Sequence, residues 1–117
     1  MAQLGFLETE LRKKRDAGKK LLVPYITGGL EGWLAAIRAA AANGADAIEI
    51  GIPFSDPVMD GPIIQLASQK ALDAGATPIS ILNDLRQVDV SIPLAVMCYY
   101  NTIHNAGHER FANALAE

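Results

Sequence analysis

Apolar residues recur along this chain in two alternating rhythms. Leu4, Leu7 and Leu11 stand at helical spacing and Gly18 follows as a stop, so a first helix is predicted over residues 3–17. Residues 21–27, 47–52 and 93–101 are short, nearly continuous apolar stretches, the length of a buried strand rather than of a helix. Helical spacing returns between them. Residues 32–43 place Trp33, Leu34, Ile37, Ala40 and Ala41 along one face, with Gly44 suited to the C-terminal end. Residues 62–74 repeat Ile63, Ile64, Ala67, Ala71 and Ala74, and Thr77-Pro78 reads as N-cap and first turn of a helix over 79–87. A last helix starts at His108, with Phe111, Ala112, Leu115 and Ala116 on its apolar face up to Glu117. Strands separated by helices predict right-handed βαβ units and a parallel sheet, hence an α/β fold. No linker or repeat interrupts the pattern, so residues 1–117 are expected to form a single domain.

Composition narrows the class. With 117 residues, half of them apolar and 20% charged, the chain has the makings of a globular core and not of a disordered one. The longest apolar run, residues 92–100, is far short of the roughly 20 residues of a membrane span. The N-terminus turns charged at Glu8, without a signal-peptide core, and Cys98 is the single cysteine; together they point to a cytoplasmic protein with no membrane role. Net charge is −3, but residues 1–20 carry six bases against three acids, with Arg12, Lys13, Lys14 and Arg15 in one run. No aromatic platform or reading motif accompanies them, so a solvated helix face is expected and nucleic acid is not.

The chemistry concentrates around Glu49. Side chains alternate along a strand, so Ile48, Ile50 and Ile52 share one face while Ala47, Glu49 and Gly51 share the other. The bulky face suits packing under helices; the other is small except for one carboxylate, as a ligand site requires. Burying an ionised carboxylate without partners is costly, which favours a proton-transfer role; the alternative is a structural ion pair with a lysine or a cap. The loop of residues 53–62 follows, shaped by Pro53, Pro57, Gly61 and Pro62, and leaves the C-terminal end of that strand, where parallel α/β folds carry their sites. Asp60 is thereby deliverable opposite Glu49, and two carboxylates in unequal environments divide acid and base roles. Asp-Gly-Pro is also ordinary capping chemistry at a helix start. Gly28-Gly29 lacks a phosphate-loop context and reads as a strand-to-helix turn. His104 and His108 lack further ligands for zinc, and Tyr99 and Tyr100 are expected on opposite faces of a strand end.

Four stretches in order, Leu-Val-Pro-Tyr-Ile-Thr at 22–27, Glu-Ile-Gly-Ile-Pro-Phe-Ser-Asp-Pro at 49–57, Asp-Gly-Pro-Ile-Ile-Gln at 60–65 and Met-Cys-Tyr-Tyr-Asn at 97–101, closely resemble the tryptophan synthase alpha subunit family. The resemblance runs from about residue 20 to the end. It implies a (β/α)8 TIM barrel of which this chain carries about the first three βα units, a complete barrel needing roughly 250 residues. The implied reaction is cleavage of indole-3-glycerol phosphate to indole and glyceraldehyde 3-phosphate. By resemblance Glu49 is the general acid/base, Asp60 receives the indole N–H, and Tyr25, Ile64 and Tyr99 line the indole pocket. Pro53, Asp56 and Pro57 fall in the loop that meets the beta subunit. No metal or organic cofactor is implied on the alpha side, pyridoxal phosphate belonging to the beta subunit. The family's phosphate-gripping loops fall beyond residue 117, so the chain alone is expected to be poorly active or to act as a module awaiting the rest of a barrel. The connection after Gly29 is shorter than usual, and Met59 stands where many members carry a small residue.

Overall fold

The computed structural model describes residues 3–116. Three parallel strands, β1 (Tyr25–Thr27), β2 (Ile48–Gly51) and β3 (Leu94–Met97), lie in the order β1-β2-β3. Six helices surround or precede them: α1 (Phe6–Asp16), α2 (Trp33–Ala42), α3 (Pro62–Asp73), α4 (Pro78–Leu85), α5 (Tyr100–Ala106) and α6 (His108–Ala116). The sequence pattern predicts all of them but α5. The last predicted helix extends to Glu117, which lies outside the described residues.

One face of the sheet makes the core. Ile48 and Ile50 are fully buried there, packed with Trp33 and Ile37 of α2 and Ile81 of α4, and flanked by Ile26, Leu94 and Val96 from the neighbouring strands. The apolar face read from α2 is thus the one the helix buries. α4 begins as expected: the Thr77 hydroxyl accepts the Ser80 amide at 3.1 Å, the Ser80 hydroxyl accepts the Thr77 amide at 2.9 Å, and Pro78 occupies the first turn. The Gly28-Gly29 turn is a packing device. The Gly28 amide donates to the Gly51 carbonyl at 2.9 Å, and at Gly29, whose φ is +89°, a Cβ would stand 2.5 Å from the Ala76 methyl.

Both outer strands are shorter than their apolar runs. Regular pairing starts at Tyr25: the Leu22 and Pro24 carbonyls still accept the Asp46 and Glu49 amides at 2.8 and 3.0 Å, but the Leu22 amide donates to the Asp46 carboxylate at 2.7 Å and Pro24 has no amide to give. At the other edge the last ladder bond runs from the Ile52 amide to the Met97 carbonyl at 2.9 Å. Two residues later the Tyr99 carbonyl accepts the Thr102 amide at 3.0 Å and α5 begins, so Tyr100 and Asn101 open a helix rather than end a strand. Tyr99 and Tyr100 therefore do not alternate across a sheet. Polar residues from Asn101 to Asn105 were the available sign of this turn.

α1 buries none of its side chains, and Leu4, Phe6 and Leu7 are exposed. Arg12, Lys13 and Arg15 are solvated, as the charge pattern predicts, while Lys14 reaches Asp46 at 2.9 Å. Asp46 therefore ties α1 to the segment before β1 through both the Lys14 ammonium and the Leu22 amide. That amide, then the Lys14 contact, hold the Asp46 carboxyl below its usual range. A lowered value means a contribution to stability that is present above the ordinary value near 3.8 and lost as pH falls through the lowered one. Thermal unfolding of Asp46→Asn beside the parent should show a gap in Tm at neutral pH that closes under acid; a gap unchanged down to pH about 3 would show the carboxylate charge to be idle.

Candidate active site

The site grows from the strand register. Tyr25 pairs with Glu49 and Glu49 with Ala95; one pleat on, Thr27 pairs with Gly51 and Gly51 with Met97. Parallel partners project to the same side, so these six residues form the face opposite the Ile48 and Ile50 core. Glu49 is half-buried on this face, where the alternation places it. The sole large neighbour in its row is Tyr25, whose ring leans along the strand until its hydroxyl lies over Gly51: a Cβ at Gly51 would overlap the phenol. Gly51 is therefore small because Tyr25 occupies its space, a constraint the sequence of one strand does not reveal. The Thr27 hydroxyl donates to the Tyr25 hydroxyl at 3.3 Å.

Above this row the 53–61 loop folds over the C-terminal ends of the strands. Pro53 is buried, Pro57 half-buried and Asp56 exposed, its carboxylate accepting the Ser55 hydroxyl at 2.9 Å. Gln65, from the first turn of α3, donates to the Asp60 carbonyl at 2.7 Å and to the Pro57 carbonyl at 3.4 Å. The Tyr99 hydroxyl accepts the Met59 amide at 3.0 Å, and its ring stacks on Phe54 with centroids 5.2 Å apart. Gln65 and Phe54 escaped the sequence reading, since neither carries chemistry of its own.

Loop and sheet enclose a cleft of about 330 Å³ whose walls include Tyr25, Gly51, Asp60, Ser68, Met97 and Tyr99. Glu49 lies one pleat before Gly51 on the same face. Ile64, half-buried, sits one helical turn before Ser68 on α3, and it is Ser68 that reaches the cleft wall. The Tyr25 phenol registers the gathering electrically. Burial pushes it up, the Asp60 and then Glu49 carboxylates push it further, and the Thr27 hydrogen bond partly opposes them. The charges of both acids thus reach the one phenol, whose cleft is small and has largely apolar walls. A wider groove of about 1430 Å³ between the loop, α4 and the α5–α6 pair is lined by neither Glu49 nor Asp60. Cys98 is half-buried among core residues, and burial raises its thiol. Tyr100 and His108 meet at 2.6 Å, and no cluster of three metal-binding side chains occurs among the described residues. Nor is any described helix long and apolar enough to cross a membrane.

Three parallel strands alternating with helices, with Glu49 within β2 and Asp60 on the loop that follows it, make an α/β segment of the kind from which (β/α)8 barrels are built. The family model of the tryptophan synthase alpha chain matches residues 11–117, and the chain belongs to that family. It is 40% identical over 114 residues to a tryptophan synthase alpha chain from Methanopyrus kandleri, covering 95% of this chain and 42% of that protein. It is 42% identical over 122 residues to one from Carboxydothermus hydrogenoformans, covering 99% and 44%. Among solved structures it superposes on tryptophan synthase subunit alpha from Legionella pneumophila with a TM-score of 0.89 at 34% identity, covering 97% of this chain and 46% of that one. The aminoacrylate-bound tryptophan synthase of M. tuberculosis gives 0.88 at 31%, covering 97% and 48%. The chain spans less than half the length of these relatives.

Two measurements probe this geometry. The chain has three tyrosines, and Tyr25 should ionise above the ordinary phenol value; Asp60→Asn should lower its midpoint in an ultraviolet titration, whereas an unmoved midpoint would separate the two groups. Gly51→Ala should destabilise the fold by about 1–3 kcal/mol in denaturant titration, and adding Tyr25→Ala should recover the part due to overlap.

Proposed function

We propose that the protein carrying this chain cleaves indole-3-glycerol phosphate to indole and glyceraldehyde 3-phosphate, the step of tryptophan biosynthesis assigned to this family. The observation that carries the reading is the placement of Glu49 on the strand face opposite the core, one pleat before Gly51, with Gly51 and Asp60 in the wall of the cleft. The family membership supports it.

The reaction is a retro-aldol cleavage and needs proton transfers only. Indole C3 gains a proton, the hydroxyl on the adjoining glycerol carbon loses one, and the pair of electrons of the C–C bond returns to the ring as the carbonyl forms. Glu49 is the group we assign to these transfers, since a half-buried carboxylate beside a cleft is able to act in turn as acid and base. Asp60 is assigned to the ring N–H, where its negative charge favours the positive charge that develops on the indole as C3 is protonated. Tyr25 and Tyr99 supply cleft wall for the ring, and on α3 Ser68 does so in place of Ile64 one turn earlier. No step in this scheme calls for a metal or organic cofactor. We further infer that the exposed part of the loop, Asp56 with Val58 and Met59 at 83% and 85% exposure, and the half-buried Pro57 between them face a tryptophan synthase beta subunit, while the buried Pro53 offers it no surface, and that the protein works in the cytoplasm.

The test is Glu49→Gln in the chain completed to the length of its relatives. The amide keeps the shape and removes the proton transfer, so indole release should fall by about 100-fold or more, at little cost in stability. Near-parental turnover would remove Glu49 from the chemistry.

A further inference from the structure

We propose that Tyr99 is a positioning residue for Asp60, holding the 53–61 loop so that Asp60 stays in the wall of the cleft next to β2, the strand that bears Glu49. The inference rests on the function proposed above and assigns Tyr99 a task beyond lining the cleft.

Tyr99 is well placed to act as a fixed post. Its backbone is set by β3 on one side and by α5 on the other, where its carbonyl accepts the Thr102 amide at 3.0 Å. From there one side chain attaches the loop at both ends. Its ring stacks on Phe54, the second residue of the loop, at 5.2 Å and an interplanar angle of 26°. Its hydroxyl accepts the amide of Met59, the residue immediately before Asp60, at 3.0 Å. The Met59 side chain is 85% exposed, so packing does not hold this residue and the hydroxyl does. On the other side of Asp60, Gln65 grips its carbonyl at 2.7 Å. The peptide unit before Met59 and the one after Asp60 are thus held by two side chains on different elements, one following β3 and one on α3, while the Asp60 amide between them turns back to the Pro57 carbonyl at 3.3 Å.

The direction of the first bond matters. A backbone N–H only donates, so the phenolic oxygen is the acceptor and its own proton is left to donate within the cleft that Tyr99 lines. A tyrosine serving only as packing would need the ring and not the hydroxyl. Tyr99→Phe separates these two roles.

In the completed chain, Tyr99→Phe should lower kcat for indole-3-glycerol phosphate cleavage by about tenfold, the scale of one well-placed hydrogen bond acting through geometry. KM should move far less, because the interaction Asp60 is assigned grows in the transition state. In an Asp60→Asn background the same change should have no further effect, since the group it acts through is gone. Amide hydrogen exchange at Met59 should accelerate in Tyr99→Phe and stay parental in Asp60→Asn. Equal losses in both backgrounds, a loss confined to KM, or a Met59 amide that exchanges at the parental rate would each overturn the proposal. Should Tyr99→Phe not fold, Phe54→Leu keeps the hydroxyl, removes the stacking and should show the same non-additivity with Asp60→Asn. A parent protein that cleaves no substrate would defeat the functional reading and not the strap, on which Met59 exchange reports directly.

Discussion

The row formed by Tyr25, Glu49 and Ala95 is the constraint on which the rest of the molecule depends. Parallel pairing with a two-residue period leaves β2 no freedom: once Ile48 and Ile50 are committed to the helices, Glu49 must face away from them. A slip of one residue would bury the carboxylate under α2 and α4 and turn two isoleucines into the cleft. The hydrophobic core therefore does more than stabilise the sheet. It sets which side of the sheet carries chemistry, and the large penalty for burying an unpaired charge makes that choice sharp.

The second acid reaches the site by a different route. Asp60 sits on a loop without regular structure, and its place is determined by hydrogen bonds to the backbone on either side of it. Such bonds fix a peptide plane without spending the carboxylate, which stays available for a ligand. The two acids consequently differ in setting: Glu49 is held by the ladder, Asp60 by the Tyr99 and Gln65 side chains together with the turn bond from its own amide to the Pro57 carbonyl. The Tyr25 phenol, resting in the space that Gly51 leaves open, lies within the field of both. That three strand ends and one loop suffice to bring these groups together accords with the general habit of parallel barrels, whose sites are assembled from the C-terminal ends of several strands.

Much of this was legible in the residues themselves. Periodicity located α2, α3, α4 and α6 because an amphipathic helix writes its buried face into the sequence every three to four residues; it located α1 as well, whose apolar spacing buries nothing, and Thr77-Pro78 marked the start of α4 through local capping chemistry. The same reasoning put Glu49 on the face opposite the isoleucines. The ends of β1 and β3 were not legible, since an apolar run reports burial and not pairing. Before Tyr25 only the carbonyls of Leu22 and Pro24 reach the β2 side, because Asp46, more than twenty positions away, takes the Leu22 amide and Pro24 has none. Where β3 stops was decided by the first turn of α5.

The sequence by itself determined the alternation of strands and helices, the face on which Glu49 stands, the loop that carries Asp60, and the family to which the motifs point. All of these follow from local spacing and from residue types whose chemistry is intrinsic. Only the tertiary structure decided that Gly51 makes room for Tyr25, that Ser68 reaches the cleft wall one turn beyond Ile64, and that Tyr99 holds the backbone beside Asp60 from forty residues away. Those relations join residues distant along the chain through contacts a few ångströms long, and one-dimensional spacing carries no record of them until the sheet register brings the partners side by side.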